Sequence, residues 1–333
     1  MTASVAPGPL EVLGAWRPAP VADVLVVVAA VGYGLLARRA DRWPWRRSLA
    51  GGLALAVAVV VLDGPVAVYG DLLFWVHMIA HLSLIMVVPV LVAWARPLAL
   101  LRSAGPGGGR RWAQVLDSRA VRLVTFPLLT LAVYAVVVVL THLTGFQQIA
   151  VEHPVVRGAE TALYVVAGYL LFAPLIGDDA EPRRMPYLLR FVVLALAMGV
   201  DTLTGVVLML TGTVLAPGYA AAHPGWGPGA LADQGVAGAV MWWGGDGLMM
   251  LLLLVVVIRW GRAPAAEQGL GSFLEGVRRS TVLGQAGDRN ADIDAAGIDL
   301  DGIDVDDDEA ALVAYNQRLA ALHGRPPRGE GGR

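Results

Sequence analysis

Between residues 21 and 258 the chain alternates long apolar runs with short polar stretches, and each run is long enough to cross a hydrocarbon core of about 30 Å as a helix. The runs fall at approximately 21–37, 49–69, 72–95, 120–143, 158–176, 187–211 and 235–258. This pattern predicts an all-α, polytopic bundle of seven transmembrane helices over residues 21–262, with a tail at 1–20 before it and a polar tail at 263–333 after it. The second run ends in Asp63-Gly64-Pro65 and is expected to loosen toward a turn at Gly70-Asp71. Pro89, Pro127 and Pro174 lie inside other runs, where membrane helices accept them as kinks. No internal repeat is evident, which argues against an inverted-repeat transporter.

The polar stretches carry a directional signal. Arginines cluster in alternate loops: Arg38 to Arg47 in the first, Arg96 to Arg119 in the third, Arg183 to Arg190 in the fifth, and Arg259 and Arg262 after the last run. The other loops and the N-terminal tail hold only Arg17 and Arg157. Because basic residues are retained on the cytoplasmic side, the alternation predicts the N-terminus outside and the C-terminus inside. Residues 1–20 lack a basic n-region, so a secretory signal is not expected there.

Composition agrees with a multi-pass protein. Hydrophobic residues make up 56% of the 333 and charged residues 16%, against roughly 25% in soluble domains. All basic residues are Arg, and the Ala, Gly, Val and Arg bias points to a GC-rich bacterial genome, hence a bacterial plasma membrane. Cysteine is absent, which excludes disulfides, thiolate metal sites and Cys nucleophiles. The bilayer is the evident partner, and nothing suggests nucleic acid. In the last segment, Asp288 to Glu309 is acidic and is followed by a short amphipathic helix pattern ending at Gly324. A calcium loop starting at Asp288 fails, because the sixth position is Ile293 and the twelfth Asp299. A solvated cytoplasmic linker fits that run better.

The candidate chemistry lies in the third run, where His77 and His81 are one helical turn apart on one face, with Met78 on its flank. Counted from the outer boundary they lie roughly 8 and 14 Å deep at 1.5 Å per residue. His142 ends the fourth run, His153 and His223 fall in outer loops, and His323 is on the tail. Asp201 lies within the sixth run, and Asp233, Met241 and Asp246 enter the seventh from the same side. Two neutral His that merely hydrogen-bond to neighbouring helices is the plainest reading, but ionisable groups within a membrane commonly mark function. Imidazole and thioether without thiolate suit copper, Cu(I) in particular. Zinc stays open, since a His/Asp mixture could bind it, but a closed structural zinc site wants four ligands at short fixed spacing, and no such run exists. The candidate metal ligands are therefore His77, His81, His142, His153, Met78, Asp201 and Met241. A haem-binding electron carrier using His81 and His142 is the alternative, disfavoured because two His one turn apart would crowd one haem face.

Three stretches carry a family resemblance: HMIAHLSLIMVVPVLVAWARPL from His77, HPVVRGAETALYVVAGYLLFAPLIG from His153, and ADQGVAGAVMWWGGD from Ala232. Over about residues 21 to 262 the chain resembles the CtaG family of cytochrome c oxidase assembly proteins. His77, Met78, His81, Pro89 and Pro97 match its third-span motif, and Asp233, Gln234, Gly238, Met241 and Trp242 its seventh-span motif. The resemblance implies a non-enzymatic seven-span protein that helps install copper in the haem–copper oxidase, with oxidase subunits and an extracytoplasmic copper chaperone as partners. The chain departs from the family where an HxxEH pattern often opens the fifth span. Arg157 and Gly158 stand where the leading His is expected, Glu160 is followed by Thr161, and Ala173 replaces a Trp. The resemblance then implies a copper site that leans on His142 or His153, or one with fewer ligands than its relatives have.

Overall fold

The computed structural model describes residues 6–40, 42–103, 112, 114–116, 118–176 and 185–263. The chain divides into two units, Met1–Leu270 and Gly271–Arg333. The acidic run, the expected amphipathic helix and His323 lie outside the described residues, as do Arg183 and Arg184.

Among the described residues the regular secondary structure is all helical, with no strand. The helices are α1 (Pro9–Gly14), α2 (Pro20–Arg39), α3 (Trp45–Leu62), α4 (Pro65–Gly70), α5 (Phe74–Leu82), α6 (Val88–Ala95), α7 (Pro97–Arg102), α8 (Arg119–Val124), α9 (Pro127–Leu143), α10 (Phe146–Glu152), α11 (Pro154–Ile176), α12 (Tyr187–Leu210), α13 (Pro217–Ala222) and α14 (Ala230–Arg262). A π-helical turn, Ser83–Val87, joins α5 to α6. Six helical segments are long and apolar enough to cross a membrane, and a seventh candidate is α9 with α10, bent by 72°. The protein is a multi-pass membrane helix bundle of six to seven spans, as its apolar pattern predicts.

The prolines explain the element boundaries. The run expected at 120–143 is divided into α8 and α9, because Pro127 opens a helix instead of kinking one. The preceding Phe126 is held extended at φ −63°, ψ 126°, as the pyrrolidine ring demands of its neighbour. The second run breaks as expected after Asp63, where Pro65 restarts the chain as α4. Pro174 is carried inside α11. Pro89 has no N–H for the carbonyl of Ile85 four residues earlier, and the π turn just before it absorbs that missing bond.

Burial is distributed unevenly. The segment Phe74–Arg102 is the most buried span, whereas α2 buries no residue and presents Val24, Leu25, Val28 and Val31 outward, as suits a lipid-facing helix. In α3 only Ala50, Ala54, Ala58 and Val61 are buried, a small-residue stripe that lets the helix lie close against α6. The most extensive pairing is between α12 and α14. There a Cβ on Gly205 would lie 2.8 Å from the Gly238 carbonyl oxygen, and one on Gly238 would lie 2.6 Å from that of Gly205. Only hydrogen at both positions permits this approach. Nearby, Thr202 donates to Asp246 at 2.7 Å.

Candidate functional site: a buried imidazole cluster

The start of α5 is fixed from outside the helix. Its N-cap residue, Leu73, has no side chain able to accept the free N–H groups of the first turn. Asp233 on α14 supplies the acceptors, taking the N–H of Phe74 at 2.7 Å and that of Trp75 at 3.0 Å. The next residue, Gln234, accepts from Leu215 N–H at 2.8 Å and donates to the Thr213 carbonyl at 3.0 Å, tying down the loop after α12. Both motif residues thus position backbone, and α5 starts one turn before His77.

His81, one turn further on, is almost wholly buried, at 1% exposure. Its ring meets that of His142 edge-on at 4.4 Å between centroids, and that of Tyr164 at 4.3 Å. Among the described residues neither of its nitrogens has a hydrogen-bond partner. His142, at the end of α9, has its Nδ1 2.8 Å from the Val138 carbonyl oxygen and 2.9 Å from Thr141 Oγ1. A carbonyl only accepts, so Nδ1 carries the proton and Nε2 keeps its lone pair, buried and without a partner. His81 and His142 therefore offer two open lone pairs from rings in contact.

His77 is held differently. Arg157 on α11 places a guanidinium nitrogen 3.3 Å from its Nδ1. A guanidinium only donates, so Nδ1 accepts and the neutral ring carries its proton on Nε2, which lies 3.8 Å from Glu160 Oε1. Glu160 in turn accepts from Gln147 Nε2 and from the Tyr164 hydroxyl, each at 2.6 Å. Arg157 also donates to Tyr219 at 3.3 Å and lies 3.6 Å from Asp71, which pairs with Arg17 at 2.6 Å. Burial pushes the Tyr219 phenol up to about 12, so it stays protonated. The cluster sits where α5 and α11 begin and α9 ends, the end of the bundle away from Arg96, Arg190 and Arg259.

The structure brings together three of the expected residues, His77, His81 and His142. The others lie elsewhere. His153 is exposed at the C-terminus of α10. Met78 and Met241 are fully buried in the apolar core. Asp201 belongs to a second polar network, in which Tyr134 donates to both its oxygens at 2.8 and 3.1 Å. His223 is satisfied within its loop, with Nε2 2.9 Å from the Pro228 carbonyl oxygen and Nδ1 accepting from Gly225 N–H. Sequence reading missed the roles of Gln147, Tyr164 and Tyr219. For Tyr164 a signal existed, since it lies one turn after Glu160 on the same helix. Among the described residues no three His, Asp or Glu side chains form a ready-made metal cage. Neutral imidazole nitrogens without a hydrogen-bond partner are the kind of donor that a soft ion of low coordination number accepts.

The model of the cytochrome c oxidase caa3 assembly factor family (Caa3_CtaG) matches residues 28–263. The chain belongs to that family. The Caa3_CtaG match covers every helix that builds the imidazole cluster. Uncharacterised proteins of Mycobacterium bovis and Mycobacterium tuberculosis are each 29% identical over 325 residues, covering 94% of this chain and 45% of their own length. One of Mycobacterium leprae is 27% identical over 240 residues, covering 68% of this chain and 36% of its own. The chain thus spans less than half the length of these curated relatives. No solved structure matches it.

Proposed function

We propose that this cytochrome c oxidase assembly factor holds Cu(I) as cargo between His81 and His142 and hands it to the haem–copper oxidase, with no catalytic step of its own. One observation carries the reading: two buried imidazoles in edge-on contact whose lone pairs have no partner among the described residues. Leaving such groups unpaired inside a bundle costs stability, on the order of 1–3 kcal/mol each, unless they serve a visiting ligand. Neutral nitrogen donors in low number bind a soft monovalent ion and still release it, as a carrier must. His77, oriented by Arg157, stands one turn before His81 on α5. Asp201 and Met241 are not assigned ligand roles in this reading, nor is Met78 or His153.

Replacing His81 and His142 together by Ala removes two imidazoles without adding charge, so the spans should still insert. At limiting copper, the oxidase of such a strain should contain its haems but several-fold less copper than that of the unaltered strain. Unchanged copper content, measured by metal analysis of the purified oxidase, would sink the proposal. A haem-carrier reading is disfavoured because rings in contact at 4.4 Å leave no space for a macrocycle between them.

The arginine pattern supports a bacterial plasma-membrane orientation with the cluster in the outer half, where an extracytoplasmic copper chaperone would load it. A topology reporter placed after Arg262 should then score cytoplasmic and one at Gly225 external. The reverse pair of results would put the site on the wrong side for such a donor.

A further inference from the structure

The geometry points to Arg157 as the residue that restricts this site to monovalent ions. This inference rests on the metal-carrier reading above and adds the basis of its selectivity. The Arg157 guanidinium is hydrogen-bonded to an imidazole, that of His77, and it acts in two ways.

First, it occupies a lone pair. By donating to His77 Nδ1 it leaves that ring's proton on Nε2, which makes no hydrogen bond among the described residues and lies 3.8 Å from Glu160 Oε1. His77 is thereby kept from presenting a third open nitrogen while Arg157 stays in place, and the set is limited to the two rings of His81 and His142. Two nitrogen donors suffice for a monovalent d10 ion, whereas Zn(II) and Co(II) seek four ligands.

Second, it sets the charge. Along the contact chain Arg17, Asp71, Arg157, His77 and Glu160, two guanidinium groups balance two carboxylates in formal charge. A monocation entering this neutral surrounding adds one uncompensated charge and a dication adds two, in a setting where charges interact more strongly than in water. A neutral residue at this position would leave Glu160 as a local counter-charge and free His77 to turn its nitrogen inward. Arg157 keeps its role because it is held on three sides, by His77, by Tyr219 at 3.3 Å and by Asp71, with 26% of its side chain exposed.

The test uses the full chain purified in detergent, dialysed against Ag(I), a redox-stable monovalent probe, and in parallel against Zn(II) and Co(II), with bound metal quantified per chain. The unaltered protein should retain Ag(I) and release the two dications. In Arg157→Gln and Arg157→His, affinity for Zn(II) and Co(II) should rise about tenfold or more while that for Ag(I) changes far less; Arg157→Lys, which keeps the charge, should stay selective. Failure of the unaltered chain to hold Ag(I) at all would overturn the carrier reading and this inference with it. Retention of Ag(I) with an unchanged monovalent-to-divalent ratio in both variants would overturn the role of Arg157 alone. If neither variant folds, the unaltered chain still decides, because binding of Zn(II) or Co(II) as tight as that of Ag(I) refutes the filter.

Discussion

Asp233→Ala is expected to lower the stability of the bundle by about 2–4 kcal/mol, because it strands two backbone donors at once, one buried and one part-buried. The N–H groups of Phe74 and Trp75 have no acceptor within their own helix, and Leu73 before them contributes none. Leu73 and Phe74 are 2% and 3% exposed, so water is poorly placed to substitute. Asp233→Asn keeps one acceptor oxygen and presents an amide donor to the other N–H, and should recover only part of the loss. The measurement is the thermal unfolding midpoint in detergent, followed by the monodisperse fraction on size exclusion. A midpoint within error of the unaltered protein would show that α5 finds its start without Asp233. The effect should also reach the imidazole cluster, since His77 lies on the first turn that Asp233 anchors.

Asp233 illustrates what the sequence could and could not reveal. Its place in a DQ motif was legible, but its partners lie 158 and 159 residues away, and no local pattern encodes that pairing. The spans were legible because a bilayer requires long apolar helices, and the His77/His81 pair because 3.6-residue periodicity places i and i+4 on one face. The sequence places His142 at the end of the fourth apolar run and His153 in the loop after it, and both are candidates to complete the site. The 72° bend after α9 separates their fates, leaving the first in the core and the second exposed. Arg157 was visible as a departure from a family pattern, yet its meaning depends on where a guanidinium points, which only packing determines. The break at Pro127 shows the same limit, since periodicity does not say whether a proline kinks a helix or begins one.

Gly168 is the site of the other large expected effect, one that links backbone packing to the imidazoles. A Cβ there would lie 1.8 Å from the carbonyl oxygen of Ile85, 2.7 Å from its carbonyl carbon and 2.8 Å from Pro89 Cγ. Two of these are backbone atoms of the π turn, so no side-chain rotation relieves the overlap. Gly168→Ala must push α11 away from that turn or rebuild the turn itself, at a cost of about 3 kcal/mol or more. The control is Gly158→Ala on the same helix, where a Cβ meets nothing within 4 Å and helix propensity gains up to about 1 kcal/mol. Because α11 carries both Glu160 and Tyr164, the displacement should also loosen the 4.3 Å contact between Tyr164 and His81. Thermal unfolding of the two variants separates the causes: Gly168→Ala should melt well below the unaltered chain and Gly158→Ala at or above it. Equal midpoints would mean that α11 and the π turn do not meet as closely as the structure places them.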